Sequence, residues 1–241
     1  MVYTFSGAKI HYDHVDCGAK RTLVFLHGWG RDCSDFFQFS AKMEERNFLY
    51  IDFPPFGKSE FSPPFSSVFT YVNMLISLCE HLGISSADFI AHSFGGRILM
   101  LLCVLKTSLV QKCIFVGTAG LKPRRTLKYK AKVMRYKIAK RFNKHLQCGS
   151  KDYLALPMQL RPLFKNIVNT HLDEFAKKID KESLIFWGEK DEETPLYMAK
   201  RLNRYIKNSR LYVVKDGSHF CFIENALEFF KVANNFLKEE K

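Results

Sequence analysis

The sequence predicts an α/β fold with a mostly parallel central sheet flanked by helices. Short, continuous apolar runs, which are typical of strands buried on both faces, alternate with segments of helical periodicity. Turns that contain glycine follow several of these runs directly. The alternation stops between residues 121 and 175, where no run has the pattern of a core strand. We therefore predict a core formed by residues 1–120 and 176–241, with a helical insertion at 121–175.

Length and composition suit one folded domain with an insertion. The chain has 241 residues, 47% of them hydrophobic, and its 23 phenylalanines predict an aromatic-rich core. The seven cysteines include no CxxC pair, which argues against a zinc ribbon or a thioredoxin-type site. No secretory signal pattern opens the chain, and its longest apolar run is too short to span a bilayer. Free thiols without a signal predict a cytoplasmic location.

The first predicted strand, at residues 8–15, alternates polar and apolar residues as an edge strand does. His11 and His14 lie on it. Because the sequence shows no cysteine or carboxylate cluster beside them, we interpret both as solvent-facing residues rather than metal ligands.

The remaining elements follow in order along the chain. Buried strands are predicted where apolar residues run together, and helices where apolar residues recur every three or four positions. The strands are predicted at 22–26, 47–51, 87–91, 113–116, 183–187 and 211–214, and helices at 68–82, 97–106 and 225–237.

The sharpest turn is predicted at Ser93. An apolar run ends at Ala91 and a helical run begins at Arg97, so little chain remains for a loop. A strand that turns at once into a helix exposes the intervening serine hydroxyl at the carboxyl edge of the sheet. Such a turn requires small residues two positions before and two positions after the serine, which here are Ala91 and Gly95. We interpret the adjacent His92 as a packing residue beneath the turn.

Three other strand ends carry polar motifs. His27-Gly28-Trp29-Gly30 follows the strand at 22–26. The turn Gly188-Glu189-Lys190-Asp191 follows the strand at 183–187, and Gly217-Ser218-His219-Phe220 follows the strand at 211–214. With the serine turn, these motifs resemble the α/β-hydrolase superfamily of serine hydrolases over nearly the whole chain, in the order that this superfamily uses.

The resemblance implies a catalytic triad. Ser93 would be the nucleophile, His219 the base and Asp191 the acid that orients the histidine. Glu189, Glu192 and Glu193 compete for the acid position, but the spacing from Gly188 favours Asp191.

The resemblance also implies an oxyanion hole. The backbone N–H groups of Trp29 and Phe94 would bind the developing negative charge, with His27 and Gly28 supporting the loop. The alternative is an ordinary glycine turn in which His27 only bonds to the loop. No metal and no organic cofactor is implied.

The loop at 52–59 resembles the superfamily's D-x-P-G-x-G-x-S motif, with Pro55 where glycine is usual. Gly57-Lys58-Ser59 is part of a phosphate-binding P-loop pattern, but Asp52 stands where that pattern needs its first glycine. We therefore predict that Asp52 braces the turn and does not act in catalysis.

The segment 121–151 holds twelve lysines and arginines and no acidic residue, whereas the other residues hold 25 basic and 24 acidic groups. Superfamily members commonly carry a helical cap here, and the resemblance implies one at 121–175. Pro157 and Pro162 divide its later part and predict short helices at 150–156 and 163–176. Three interpretations of the basic face stay open: a solvated surface, contact with an anionic substrate or membrane surface, and nucleic-acid binding, for which no stacking aromatics are evident. An apolar stripe predicts one basic amphipathic helix through Leu127, Ala131, Met134, Ile138 and Phe142.

These features predict a hydrolase that cleaves a small-molecule acyl substrate, foremost a small to medium apolar carboxylic ester, through an acyl-enzyme. The alternative is a C–C bond hydrolase of a dioxo acid, with Arg124, Arg125 or Arg161 holding the carboxylate. A thioester or a lactone is also compatible. A protein of another class, which binds an anionic partner or membrane through its basic cap without catalysis, is the remaining alternative.

Overall fold

The computed structural model describes residues 1–40, 43, 45–60, 65–124, 134, 153–154 and 156–239. Within these residues one eight-stranded sheet has the strand order β1-β2-β4-β3-β5-β6-β7-β8. β1 and β2 pair antiparallel, as do β2 and β4, and every later pair is parallel. The strands are β1 (Val2–Phe5), β2 (Ala8–Val15), β3 (Thr22–Leu26), β4 (Asn47–Ile51), β5 (Ala87–His92), β6 (Val110–Val116), β7 (Glu182–Gly188) and β8 (Ser209–Val214).

Helices cover both faces of this sheet. α2, α3 and α6 pack in one apolar cluster, and α1 and α8 pack in a second cluster on the opposite face. Among the described residues, every helix is too short or too polar to cross a bilayer. The helices are α1 (Phe37–Ser40), α2 (Val68–His81), α3 (Phe94–Leu105), α4 (Arg161–Asn169), α5 (Asp173–Ala176), α6 (Leu196–Tyr205), α7 (Cys221–Glu224) and α8 (Ala226–Lys238).

The predicted α/β fold with its mostly parallel sheet is confirmed, and two local predictions are wrong. β1 was not predicted, because its four half-buried or exposed residues carry no clear apolar pattern. The predicted helix at 163–176 is two helices, α4 and α5. The Leu172 amide donates to the Gly120 carbonyl at 2.8 Å, so the chain leaves the helical path to contact the core.

Most of the basic segment lies outside the described residues, including 125–133 and 135–152. The amphipathic helix, most of the short helix at 150–156 and the role of the basic face therefore stay predictions. The same holds for the division into a core and a cap at 121–175. What the structure describes of this region is chiefly α4 and α5.

The expectation that His11 faces solvent is wrong. Its Nδ1 lies 3.0 Å from Asp52 Oδ2, and only 11% of its side chain is exposed. His11, Cys33 and Asp52 bring one possible metal-ligand atom each within 4.8 Å of one another. Burial and the neighbouring carboxylate raise the pKa of the Cys33 thiol well above its usual range.

Asp52 braces the loop after β4, as predicted. Its Oδ1 accepts the Cys33 amide and its Oδ2 accepts the Lys58 amide, both at 2.9 Å. Burial opposes ionisation of Asp52, but these hydrogen bonds outweigh it and hold the pKa of the carboxyl below its usual value. We therefore interpret the cluster of His11, Cys33 and Asp52 as a structural brace.

Arg97 joins α3 to α4. Its Nη1 donates to the carbonyls of Ile167 at 2.9 Å and Thr170 at 2.7 Å, at the C-terminal end of α4. Burial lowers the pKa of this guanidinium to about 10, so it stays charged at neutral pH. A cation at the negative end of a helix is favourable, so Arg97 holds α4 against the core.

We expect Arg97→Ala to lower the free energy of unfolding by about 2 kcal/mol, because two carbonyls lose a charged donor. Arg210 is the matched control, since it pairs with Glu182 and Glu239 but is 55% exposed. Exposed ion pairs contribute less than about 1 kcal/mol, so Arg210→Ala should cost less. Urea denaturation of both variants measures the difference, and equal losses would contradict the role of Arg97.

Candidate active site

Ser93 occupies a strained turn between β5 and α3. Its backbone angles are φ 47° and ψ −105°, which lie outside the regions that side chains normally allow. Three hydrogen bonds hold the turn: the Ser93 amide to Val116 O at 3.0 Å, the Ala119 amide to Ser93 O at 3.1 Å and the Gly95 amide to His27 O at 3.1 Å. Strain held in this way is typical of a functional position.

The requirement for a small residue after the serine has a steric cause in the structure. A Cβ on Gly95 would lie 2.2 Å from the backbone oxygen of Leu26, the last residue of β3. On the other side of the motif, Ala91 is fully buried within β5. The turn can therefore form only because Gly95, the second residue of α3, lets the helix backbone contact β3.

His219 and Asp191 form a buried pair. The His219 Nδ1 lies 2.8 Å from Asp191 Oδ2. Asp191 Oδ1 accepts the amides of Glu193 at 2.9 Å and Thr194 at 2.7 Å, and the Thr194 hydroxyl lies 2.7 Å from Oδ2. The structure thus brings Asp191, rather than a neighbouring glutamate, to Nδ1.

Glu193 approaches the other nitrogen of the same ring. Its Oε2 lies 3.3 Å from His219 Nε2, with the Glu193 side chain 59% exposed. Ser93 lines the cavity into which this side of the ring faces. The imidazole therefore has Asp191 behind it, and Ser93 and Glu193 line the cavity in front.

The loop after β3 is tied to its neighbours by His27. The buried His27 ring donates from Nδ1 to Gly28 O at 2.8 Å and accepts the Phe53 amide at Nε2 at 2.7 Å. Burial lowers the pKa of His27, which agrees with a neutral ring that donates from one nitrogen and accepts at the other. A Cβ on Gly28 would lie 2.8 Å from His92 Nδ1, so Gly28 lets the loop lie directly on the serine turn.

Trp29 and Phe94 line the cavity beside Ser93. Their rings meet edge to face with centroids 5.6 Å apart. Within the described part of the chain, neither backbone N–H donates to another group. Both amides are therefore free to bind an oxygen in the cavity.

The cavity has a volume of about 350 Å³. Phe164, Ile167 and Val168 of α4 give it an apolar wall, and Arg31, Arg97 and Glu193 are its charged residues. The described residues that line the cavity are Gly28, Trp29, Arg31, His92, Ser93, Phe94, Arg97, Ala119, Phe164, Ile167, Val168, Glu193, Thr194, His219 and Phe220.

Two of the arginines predicted to hold a carboxylate, Arg124 and Arg161, do not line this cavity. Arg124 lies over the Tyr197 ring at 4.6 Å and Arg161 over the Tyr153 ring at 5.3 Å. Arg125, the third, lies outside the described residues. Among the described residues Arg31 and Arg97 line the cavity, and neither was predicted.

His92 packs beneath the turn, as predicted. Its ring centroid lies 4.8 Å from that of His219, and its Nε2 donates to His219 O at 3.2 Å. Burial lowers the pKa of His92 well below its usual value, so the ring stays neutral. Thr194 was not predicted, although its amide and hydroxyl both bond to the Asp191 carboxylate. The sequence signal that could have indicated it is a threonine three residues after an aspartate in a turn.

The comparisons with known proteins agree with this fold. The family model described as the alpha/beta hydrolase fold matches residues 21–160. The chain is 27% identical over 247 residues to the uncharacterized hydrolase YugF of Bacillus subtilis, covering 90% of each chain. It is 25% identical over 263 residues to a 2-hydroxy-6-oxononadienedioate/2-hydroxy-6-oxononatrienedioate hydrolase of Klebsiella pneumoniae, covering 95% of this chain and 91% of the relative.

A solved esterase from Exiguobacterium antarcticum superposes with a TM-score of 0.77 at 20% identity, covering 99% of this chain and 98% of the esterase. At that identity the likeness concerns the fold alone. The family match, the sheet order and the hydrolase relatives together identify the chain as a hydrolase that belongs to the α/β-hydrolase fold family.

Proposed function

We propose that this protein is a serine hydrolase that cleaves small to medium apolar carboxylic esters through an acyl-enzyme. The observation that carries the proposal is the His219 imidazole, which is paired with Asp191 through Nδ1 and lines one cavity with Ser93. Trp29 and Phe94, whose backbone N–H groups have no acceptor among the described residues, line the same cavity. These features support acyl transfer as the reaction.

In the proposed reaction, Ser93 Oγ attacks the ester carbonyl while His219 Nε2 takes the hydroxyl proton. The Trp29 and Phe94 amides bind the oxygen that becomes negative. Collapse of the intermediate breaks the C–O bond, and His219 returns the proton to the departing alcohol oxygen. Water then gives its proton to His219, attacks the acyl-enzyme and releases the acid, while Ser93 recovers its proton.

The cavity supports an apolar acyl group. Its volume of about 350 Å³ lies at the lower end of the range for small-molecule sites. Trp29, Phe94 and Phe164 contribute aromatic rings, and Ile167 and Val168 contribute aliphatic groups. A substrate with a short or medium hydrocarbon chain would replace water there favourably.

The test is hydrolysis of p-nitrophenyl esters with acyl chains from two to sixteen carbons. We expect the highest kcat/KM at about four to eight carbons, because longer chains exceed a cavity of this size. A fluorophosphonate should label the protein covalently in a one-to-one ratio and abolish the activity. A folded protein that neither hydrolyses any of the esters nor reacts with the fluorophosphonate would contradict the proposal.

A second candidate is C–C bond hydrolysis of a dioxo acid. The names of several relatives favour it, including 2-hydroxymuconate semialdehyde hydrolase of Pseudomonas, which is 24% identical. Arg97 is the buried cation that could meet a carboxylate in the cavity, because Nη1 alone makes both of its bonds to α4. Faster turnover of a 2-hydroxy-6-oxo-dienoate than of every ester would favour this candidate.

A further inference from the structure

Glu193 brings a carboxylate to the cavity side of the His219 ring, where none was predicted. Its Oε2 lies 3.3 Å from Nε2, the nitrogen that exchanges the proton in the proposed reaction. Within the described residues, no lysine or arginine lies within ion-pair distance of this carboxylate. Its negative charge therefore acts on whatever occupies the cavity beside Nε2.

The position of Glu193 is set by the acid of the proposed triad. The Glu193 amide donates to Asp191 Oδ1 at 2.9 Å, and the next amide, of the buried Thr194, donates to the same oxygen at 2.7 Å. These bonds hold the backbone of the turn at residue 193. The side chain reaches His219 from an anchored backbone.

The two arginines in the described cavity lining have partners away from His219. Arg31 donates to Asp35 through Nε at 2.9 Å and through Nη2. Arg97 donates to the C-terminal carbonyls of α4. Of the charged residues in the described cavity lining, Glu193 is therefore the one that contacts the imidazole proposed to react.

The chemistry of the proposed reaction puts the alcohol part of the ester next to Glu193. When the C–O bond breaks, the alcohol oxygen takes its proton from His219 Nε2, so that oxygen must lie within hydrogen-bond distance of Nε2. A substituent two carbons away on the alcohol then lies within a few ångströms of the Glu193 carboxylate. Trp29 lines the same cavity, and an indole ring attracts cations.

We propose that Glu193 is a specificity-determining residue that selects esters whose alcohol part carries a positive charge, such as amino alcohols or quaternary ammonium alcohols. The inference rests on the proposed ester hydrolysis. The net charge of +13 opposes cations at long range. Salt screens distant charges beyond about 8 Å at physiological ionic strength, so the carboxylate inside the cavity has the larger effect.

The experiment compares two esters of the same acid, butyrylcholine and its uncharged isostere 3,3-dimethylbutyl butyrate. The two differ only in a quaternary nitrogen that replaces a quaternary carbon. The readout is the ratio of their kcat/KM values in wild type, Glu193→Gln and Glu192→Gln. Glu192 is exposed and does not line the cavity, so Glu192→Gln is the matched control.

We expect wild type and Glu192→Gln to prefer the cationic ester by about fivefold, the upper range for a half-exposed charge pair. The preference should fall to about one in Glu193→Gln and in high salt. A wild-type ratio of one or less, a ratio unchanged in Glu193→Gln, or a preference for a butyrate ester of an anionic alcohol would each overturn the inference. Hydrolysis of p-nitrophenyl butyrate distinguishes these outcomes from failure of the proposed function. If the proposed function is wrong, no ester is hydrolysed, including this one.

Discussion

Ser93→Ala is expected to lower kcat/KM for p-nitrophenyl butyrate by about 10⁴-fold or more, because the proposed acyl-enzyme forms on Ser93 Oγ. The stability should stay close to that of wild type. Alanine keeps the Cβ that already stands at φ 47°, so the strain of the turn does not change. The Ser93 hydroxyl makes no hydrogen bond within the described residues, so its removal leaves no partner unsatisfied.

Steady-state hydrolysis and fluorophosphonate labelling measure this effect, and thermal unfolding confirms that the variant is folded. Ser67→Ala is the control, since Ser67 precedes α2 and does not line the cavity. Its activity should stay within about twofold of wild type, as expected for a residue away from the site. Retention of more than about one part in a hundred of the activity in Ser93→Ala would show that another residue is the nucleophile.

Asp191→Asn is expected to lower kcat/KM by about 10³- to 10⁴-fold through the tautomer of His219. The amides of Glu193 and Thr194 both donate to Oδ1, so the side-chain oxygen of asparagine must take that place. Its NH₂ group then stands where Oδ2 now lies, 2.8 Å from His219 Nδ1. Because an NH₂ group donates, Nδ1 must accept, and the proton of the neutral ring moves to Nε2. A protonated Nε2 cannot act as the base that takes the hydroxyl proton of Ser93.

Asp216→Asn is the matched control. Asp216 is an exposed carboxylate at φ 58°, a conformation that asparagine also adopts readily, and it pairs with Lys190 on the surface. We expect kinetics within about twofold of wild type, because surface changes rarely affect a distant site. If Asp191→Asn retained a tenth or more of the activity while Glu189→Gln or Glu192→Gln lost it, the acid would be one of those glutamates.

The sequence by itself determined the fold class, all but the first strand of the sheet, and the position of each proposed triad residue along the chain. These features depend on local signals. A buried parallel strand must be continuously apolar, as β3 is, and a strand that turns at once into a helix needs a small residue at Gly95. Such requirements act between residues that are near in sequence, so a single sequence displays them.

Only the tertiary structure decided the rest of the site. Arg97 lies 73 residues before the Thr170 carbonyl that it binds, and His11 lies 41 residues before the Asp52 carboxylate beside it. In the sequence Glu193 was one of three glutamates that competed with Asp191 for the acid position, and the fold places it 3.3 Å from His219 Nε2 instead. Neither a buried cation that ends a distant helix nor a carboxylate in a cavity has a local pattern, because the groups that define them meet only when the chain folds.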